Sequence, residues 1–264
     1  VTDGVSEADI LLVGGGRMGS ALLAGWSRRR GGRVVVVDPA ASLAGATVVP
    51  TLEDMPADFA PDVIVLAVKP QVAGSILPGY ARFPGALFIS IMAGRSLAWM
   101  GTQLGTGAIV RAMPNTPAAI GQGFTVACAG AGVSAAQRDL ADALLAATGE
   151  VAWIAAEALL DPVTAISGGG PAYVFLLTEL MAREAVAQGL PESLAKRLAR
   201  QTVIGAAGLL AASDEEPAAL RVAVTSPGGT TAEALAVLQH DDAWPKSFAA
   251  AIEAATRRSR ALSG

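Results

Sequence analysis

Histidine and cysteine are almost missing from this chain: its 264 residues include one of each, His240 and Cys128. A single cysteine excludes an intrachain disulfide framework and fits a reducing compartment. On its own, Cys128 reads as a small buried hydrophobe. A single histidine leaves little room for His-driven acid–base chemistry. His240 sits in the acidic connection from Gln239 to Asp242, far in sequence from every candidate site, and reads as a surface residue. Lysine is scarce too, limited to Lys69, Lys196 and Lys246. Charged residues make up only 16% of the chain, the net charge is −4 and the pI is about 5.1. No general attraction to nucleic acid or anionic lipid follows from that balance. The two basic groups, Arg28–Arg30 and Arg257, Arg258 and Arg260, each close a predicted helix, where cations complement the negative end of the dipole. An unbroken membrane-length apolar run is absent as well. The longest uncharged stretch, Ala112 to Gln137, carries Pro114, Asn115, Pro117 and Gln122, which a spanning helix tolerates poorly. The opening residues, Val1 to Asp9, are polar and acidic and do not read as a secretory signal. The expectation is a soluble, cytoplasmic protein.

What is abundant is apolar side chain, at 52%, enough to bury one large core or two modest ones. No internal repeat or low-complexity segment is visible. Ile10 to Val13 is a short apolar strand running into Gly14-Gly15-Gly16-Arg17-Met18-Gly19, and Ser20 to Arg30 continues as an apolar-faced helix. Val34 to Val37 follows as a second strand and ends in Asp38, 19 residues after Gly19. A glycine turn between strand and helix, with an acid at that distance, is the dinucleotide fingerprint in its required context. Gly14 makes the tight turn, Gly16 lets the backbone approach a pyrophosphate, and Gly19 allows close packing while helix N–H groups face the anion. Asp38 suits ribose hydroxyls but repels a 2′-phosphate, and Pro39 to Ser42 supplies no arginine. The reading therefore leans to NADH over NADPH, which Arg17 could reverse.

Further strands are predicted at Val63–Val68, Leu87–Ile91, Ala108–Met113, Phe124–Cys128 and Val151–Ile154, apolar enough for a sheet covered on both faces. Pro39 to Ala46 is short for a crossover helix and is expected to form a turn or two at most. Ala67-Val68-Lys69-Pro70 and Met92-Ala93-Gly94 lie at strand C-terminal ends, where open α/β sheets bind ligands. Lys69 is there either a ligand contact or an ordinary solvated lysine. Two prolines stiffen the loop that carries Asn115.

From Asp161 onward only helices are predicted: 162–166, 171–188, 191–212, 217–225, 230–239 and 243–262, four of them beginning with proline. Ser167-Gly168-Gly169-Gly170 reads as a loop that gives way abruptly to a helix at Pro171. That helix, to Gln188, is apolar on more faces than one chain's other helices readily cover, so an obligate dimer is expected. Thr230 and Glu233 stand at capping-box spacing, with Thr230 as the cap, in the Ser226-Pro227-Gly228-Gly229-Thr230-Thr231 stretch. A helix start rich in hydroxyls and glycine is a ready carboxylate site. The fold class is α/β, an N-terminal Rossmann-like domain over 1–157 and an all-helical domain over 158–264.

Taken together and in this order, GGGRMG, AVKPQ, ISIMAG, RAMPNTP, DPVTAISGGGPAYVF and AVTSPGGTT resemble pyrroline-5-carboxylate reductase over nearly the whole chain. MPNTP, GPAY and SPGGTT are the specific elements. The resemblance implies reduction of a cyclic imine to L-proline with NADPH or NADH, and a helical domain interlocked with a partner's in a homodimer or higher homo-oligomer. It places Gly14, Gly15, Gly16, Arg17, Met18 and Gly19 on the pyrophosphate and Asp38 at the adenosine ribose. Ala67, Val68, Lys69, Pro70, Met92, Ala93, Gly94, Asn115 and Glu157 fall among the cofactor contacts. Ser226 and Thr231 take the catalytic positions, with Thr230, Gly229, Gly169 and Asp214 as further substrate contacts and no metal. The family often has SGSG where this chain has Ser167 to Gly170, which removes one hydroxyl.

The chemistry agrees with that implication. A cyclic imine arrives already protonated, so catalysis rests on positioning more than on a side-chain acid. Two rivals stay open: a β-hydroxyacid-type dehydrogenase with Lys196 as its catalytic lysine, and a non-catalytic dinucleotide-sensing module. Lys196 stands beside Arg197 and near Arg200, which reads as a solvated face.

Overall fold

Four consecutive apolar residues, Ile10–Val13, form β1, and alternate side chains leave it in opposite directions. Leu11 and Val13 join one buried cluster with Leu77 and Met100, while Ile10 and Leu12 join another with Leu22, Trp26, Leu144 and Leu145. The sheet is thus covered on both faces, as continuous apolar strands demand. The structure, a computed structural model, describes residues 7–27 and 32–263.

The remaining strands are β2 (Val34–Val37), β3 (Thr47–Val49), β4 (Val63–Leu66), β5 (Leu87–Ser90), β6 (Ile109–Met113), β7 (Gly123–Ala129) and β8 (Gly149–Trp153). Their order is β3-β2-β1-β4-β5-β6-β7-β8, parallel from β3 through β6. β7 is antiparallel to β6, and β8 is parallel to β7. The first six reproduce the doubly wound order of dinucleotide-binding sheets, whose switch point falls between β1 and β4. Among the described residues four helices accompany them: α1 (Arg17–Trp26), α2 (Pro70–Tyr80), α3 (Leu97–Leu104) and α4 (Ala135–Ala146). The Trp26 indole N–H donates to the Leu144 carbonyl at 2.9 Å, which satisfies the polar atom of a buried ring.

Two expectations need correction here. The Pro39–Ala46 connection contains no helix and leads to β3, a strand of three residues that was not foreseen. Such a strand is too short for a periodic signal, and its pairing with Val35–Val37 is what defines it. The supposed Ser167–Gly170 loop is helical. α5 (Leu160–Val163) passes into a π turn, Thr164–Gly168, closed by Gly169 N–H donating to the Thr164 carbonyl at 3.0 Å. Pro171 has no N–H to offer the carbonyl four residues back, and the wider turn just before it absorbs that gap. Gly168 sits where an added Cβ would come within 2.8 Å of Met113 Cε, so this glycine serves close packing on the end of β6, whereas Gly170 faces open space. The predicted close of α1 at Arg28–Arg30 lies outside the described residues.

The helices beyond are α6 (Gly170–Ala187), α7 (Glu192–Ala211), α8 (Pro217–Ala223), α9 (Thr230–Gln239) and α10 (Ala243–Ser263). Two compact units result, one made of residues up to Gly169 together with those from Ala255 on, the other of Gly170–Ala254. The boundary expected from sequence stood at 157/158. In the first unit, Ser259 on α10 donates to Asp161 Oδ1 at 2.7 Å, a tie that composition could not signal. In the second, Ala195 and Ala199 are the buried residues, while Phe175, Ile204, Leu209 and Val237 are all more than half exposed.

Candidate functional site

The carboxyl ends of β1, β2, β4 and β5 gather the first group of candidates. Gly14 has φ +101°, and a Cβ there would lie 2.6 Å from the Ala67 carbonyl oxygen, so the turn after β1 presses on the residue that follows β4. A Cβ on Gly19 would lie only 2.1 Å from the Gly14 oxygen, so helix and turn pack backbone to backbone. Gly16 is the opposite case, with open space for 4 Å around its missing Cβ. Gly16 is also the N-cap of α1 and offers no capping side chain, so the first N–H groups of the helix lack intrahelical acceptors. Two glycines closed by packing and one left open, over an uncapped helix start, are the features a pyrophosphate cradle needs. Arg17 is exposed beside it and Met18 is half-buried.

Asp38 is more engaged than its sequence position implied. Its Oδ2 accepts from Gly15 N–H at 2.6 Å, and its Oδ1 accepts from Ala40 and Ala41 N–H at 2.8 and 3.0 Å. Burial works against its charge, but the donors on Ala40, Gly15 and Ala41 together outweigh it and hold the carboxyl below its ordinary range. The acid therefore clamps its own turn to the glycine turn. Lys69 is exposed and is the backbone N-cap of α2, next to Pro70 at the first helical position.

Met92 is buried and Gly94 has φ +66°. A Cβ on Gly94 would lie 2.9 Å from the Leu262 carbonyl, so the end of α10 packs on this loop. Arg95, which the sequence reading passed over, donates to the Pro70 carbonyl from Nε and Nη2 at 3.3 and 3.0 Å and lies 4.5 Å from the Trp99 ring centroid. Asn115 accepts from Phe124 N–H at 2.9 Å and donates to Ser167 Oγ at 3.1 Å, holding the two-proline loop. Glu157 Oε1 accepts from Arg111 Nη1 at 2.7 Å and from Leu97 N–H at 2.8 Å. Arg111 is nearly buried, and no strand pattern predicts an arginine there.

Gly169 has helical dihedrals and spends its N–H inside the π turn. In the second unit, Ser226, Thr230 and Thr231 are exposed around the start of α9, and Asp214 is exposed between α7 and α8. The cap assignment needs correction. Gly229 is the N-cap, Thr230 is the first helical residue, and neither Thr230 nor Glu233 forms the capping box. The turn before it, closed by Gly229 N–H donating to the Ser226 carbonyl at 3.0 Å with Gly228 at φ +67°, delivers glycine to the cap position. The early N–H groups of α9 are consequently left without a side-chain acceptor.

His240 is exposed, 3.2 Å from Asp241. Lys196 is exposed on α7 and paired with Glu192 one turn away, so the face is solvated and Lys196 is no buried catalytic lysine. Among the described residues no helix is long and apolar enough to cross a membrane.

The strand order, the open Gly16 turn and the helical second unit define an NAD(P)-dependent oxidoreductase with an appended helical domain. Comparison with known proteins agrees. Residues 9–94 match the family described as NADP oxidoreductase, coenzyme F420-dependent, and residues 157–262 match pyrroline-5-carboxylate reductase dimerisation. The chain is 39% identical to a pyrroline-5-carboxylate reductase of Pseudomonas aeruginosa, with 98% of both chains covered. Solved reductases of the same name resemble it throughout. One, from Coxiella burnetii, is 32% identical with a TM-score of 0.86 over 97% of this chain and 99% of that one. Another, from Plasmodium falciparum and with NADP bound, is 30% identical with a TM-score of 0.85 over 98% and 99%. The chain belongs to the pyrroline-5-carboxylate reductase family.

Proposed function

We propose that this protein reduces 1-pyrroline-5-carboxylate to L-proline at the expense of NADH or NADPH, in the last step of proline formation. The observation that carries the reading is the uncapped, hydroxyl-flanked start of α9, set in a chain whose histidine and paired lysine are both solvent-exposed. A carboxylate substrate pairs with the early N–H groups of that helix and with the Ser226 hydroxyl. Thr231 orients the ring nitrogen. The imine carries its own proton, so the residues align and desolvate it and need not supply an acid. Gly14 to Gly19 hold the dinucleotide pyrophosphate, Asp38 its adenosine ribose, and Ala67 to Pro70 with Met92 to Gly94 and Asn115 line the rest. When bound, the nicotinamide supplies the hydride that the imine carbon accepts.

NADH is the proposed preference. Asp38, held ionised by three backbone donors, is poorly suited to a 2′-phosphate, and no arginine follows it in the turn. The working unit is a dimer or larger homo-oligomer through Gly170–Ala254. The exposed Phe175, Ile204, Leu209 and Val237 support this, since each keeps more than half of its surface in water and full burial of such a side chain is worth about 1.5–3 kcal/mol. A cytoplasmic setting is part of the same proposal.

One assay tests the activity: purified protein is mixed with either reduced cofactor and the imine, then with small hydroxy acids, while nicotinamide absorbance is followed. Turnover of hydroxy acids alone would favour the β-hydroxyacid-type reading, and binding without turnover a dinucleotide sensor. A preference of tenfold or more for NADPH would show the Asp38 argument wrong. An active monomer in sedimentation would do the same for the oligomer.

A further inference from the structure

The loop between β5 and α3, Met92–Ser96, is pinned along its whole length. At its base, Met92 N–H donates to the fully buried Ser90 hydroxyl at 3.3 Å, and Ile91 N–H to the Leu66 carbonyl at 3.1 Å. In its middle, the Arg95 guanidinium makes two bonds to the Pro70 carbonyl and stacks on Trp99, so the loops after β4 and β5 are tied by one side chain. At its exit, Ser96 Oγ accepts from Trp99 N–H at 3.2 Å, and Glu157 Oε1 accepts from Leu97 N–H at 2.8 Å. Glu157 comes from 60 residues away and brings a negative charge to the positive end of α3. Its side chain is in turn fixed by Arg111, whose side chain is 8% exposed. A loop that merely connected a strand to a helix would not need three anchors from outside its own element.

We infer that Arg95 and Glu157 are positioning residues for the dinucleotide: they hold Met92–Ser96 in its bound shape before the cofactor arrives, so that binding does not have to order it. The inference rests on the reading that this loop and Ala67–Pro70 line the cofactor. Neither residue touches the reacting atoms. Arg95 acts through the Pro70 carbonyl and Glu157 through the Leu97 amide. Without them the loop orders only on binding, and the ordering of one or two side chains and their backbone weakens the cofactor by about five- to tenfold.

The test uses the whole enzyme, with NADH and NADPH titrated by fluorescence in the absence of imine, and amide hydrogen exchange over residues 92–97 in the cofactor-free protein. Arg95→Met removes two hydrogen bonds from a partly exposed side chain. It should raise the cofactor dissociation constant by that factor, speed exchange across the loop and leave the Michaelis constant for the imine unchanged. Glu157→Ala alone would strand the buried Arg111 charge, so the informative form is the double variant Arg111→Met/Glu157→Ala, expected to weaken cofactor in the same way. Arg111→Met/Glu157→Gln restores an acceptor for the Leu97 N–H and should recover both affinity and exchange protection. A merely structural role would lower the melting temperature in all three without that rescue. Ala93→Leu, which puts bulk on the loop itself, separates the inference from the reading beneath it. If Ala93→Leu leaves affinity intact, the loop does not line the cofactor and both fall. If Ala93→Leu weakens cofactor while folded Arg95→Met and the double alanine variant bind within twofold of the parent with unchanged exchange, the positioning role alone is overturned.

Discussion

Gly16→Ala separates binding from folding at a single methyl group. Gly16 has φ −66° and ψ −171°, which alanine adopts without strain, and nothing in the protein lies within 4 Å of the position its Cβ would take. The substitution should leave folding stability unchanged or raise it by about 0.4–1 kcal/mol, because alanine restricts the unfolded chain. The same methyl would project into the space through which a pyrophosphate reaches the uncapped N–H groups of α1. Loss of one hydrogen bond to a charged oxygen costs about 1.5–3 kcal/mol, so the NADH dissociation constant should rise by about ten- to a hundredfold. Gly14→Ala provides the contrast. Its φ of +101° and its 2.6 Å approach to the Ala67 oxygen make that variant destabilised in the absence of any ligand. The backbone strain alone is worth about 1–3 kcal/mol. Fluorescence titration with NADH and thermal melts of both variants supply the two readouts. A Gly16→Ala protein that melts like the parent and binds NADH within twofold of it would refute the cradle assignment, and so would one whose melting temperature drops like that of Gly14→Ala.

Ser226→Ala and Thr231→Ala should each lower kcat/KM for the imine by about ten- to a hundredfold, the value of a hydroxyl contact to a charged group, with NADH affinity and melting temperature kept. The control is clean because Gly229 caps α9 and neither hydroxyl does; parental rates in both variants would remove this turn from the substrate site. The Asp38 carboxyl titrates below its ordinary value, so its contribution to stability is present above the unfolded pKa and fades as pH falls through the folded one. Asp38→Asn should therefore melt lower than the parent at pH 7, with the gap narrowing as pH falls below about 4, where the free carboxyl protonates; a gap that does not narrow between about pH 4 and pH 2 would exclude a charge effect. Burial, aided by Glu157 and opposed by Arg111, pushes the Cys128 thiol up, so a neutral alkylating reagent at pH 8 should modify it only on unfolding. Labelling of the native protein at the unfolded rate would contradict that packing. Ile204→Arg, on an exposed apolar position of α7, should shift sedimentation toward the monomer; an unchanged oligomer would place the interface elsewhere.

The sequence by itself determined whatever is encoded over short distances. The glycine turn between strand and helix, the apolar strands within a residue or two of their ends, the helix starts at Pro217 and Thr230 and the excess apolar surface of α6 all follow from local sterics and side-chain periodicity. The same locality explains why His240 and Lys196 read correctly as solvated. What only the tertiary structure decided depends on partners far along the chain. β3 exists because Val35–Val37 pairs with it, and the antiparallel turn of β7 is a choice of direction that an apolar run does not record. The π turn at Thr164–Gly168 arises where a proline removes one hydrogen bond and Met113 fills the space a side chain would need. Asp38 reaches Gly15 across 23 residues, Arg95 reaches Pro70 across 25, and Glu157 reaches Arg111 across 46. Composition and spacing mark such residues as charged and potentially useful, but which of them meets a ligand and which holds the loop that does is set by the packing of the sheet edge, and no local pattern carries that information.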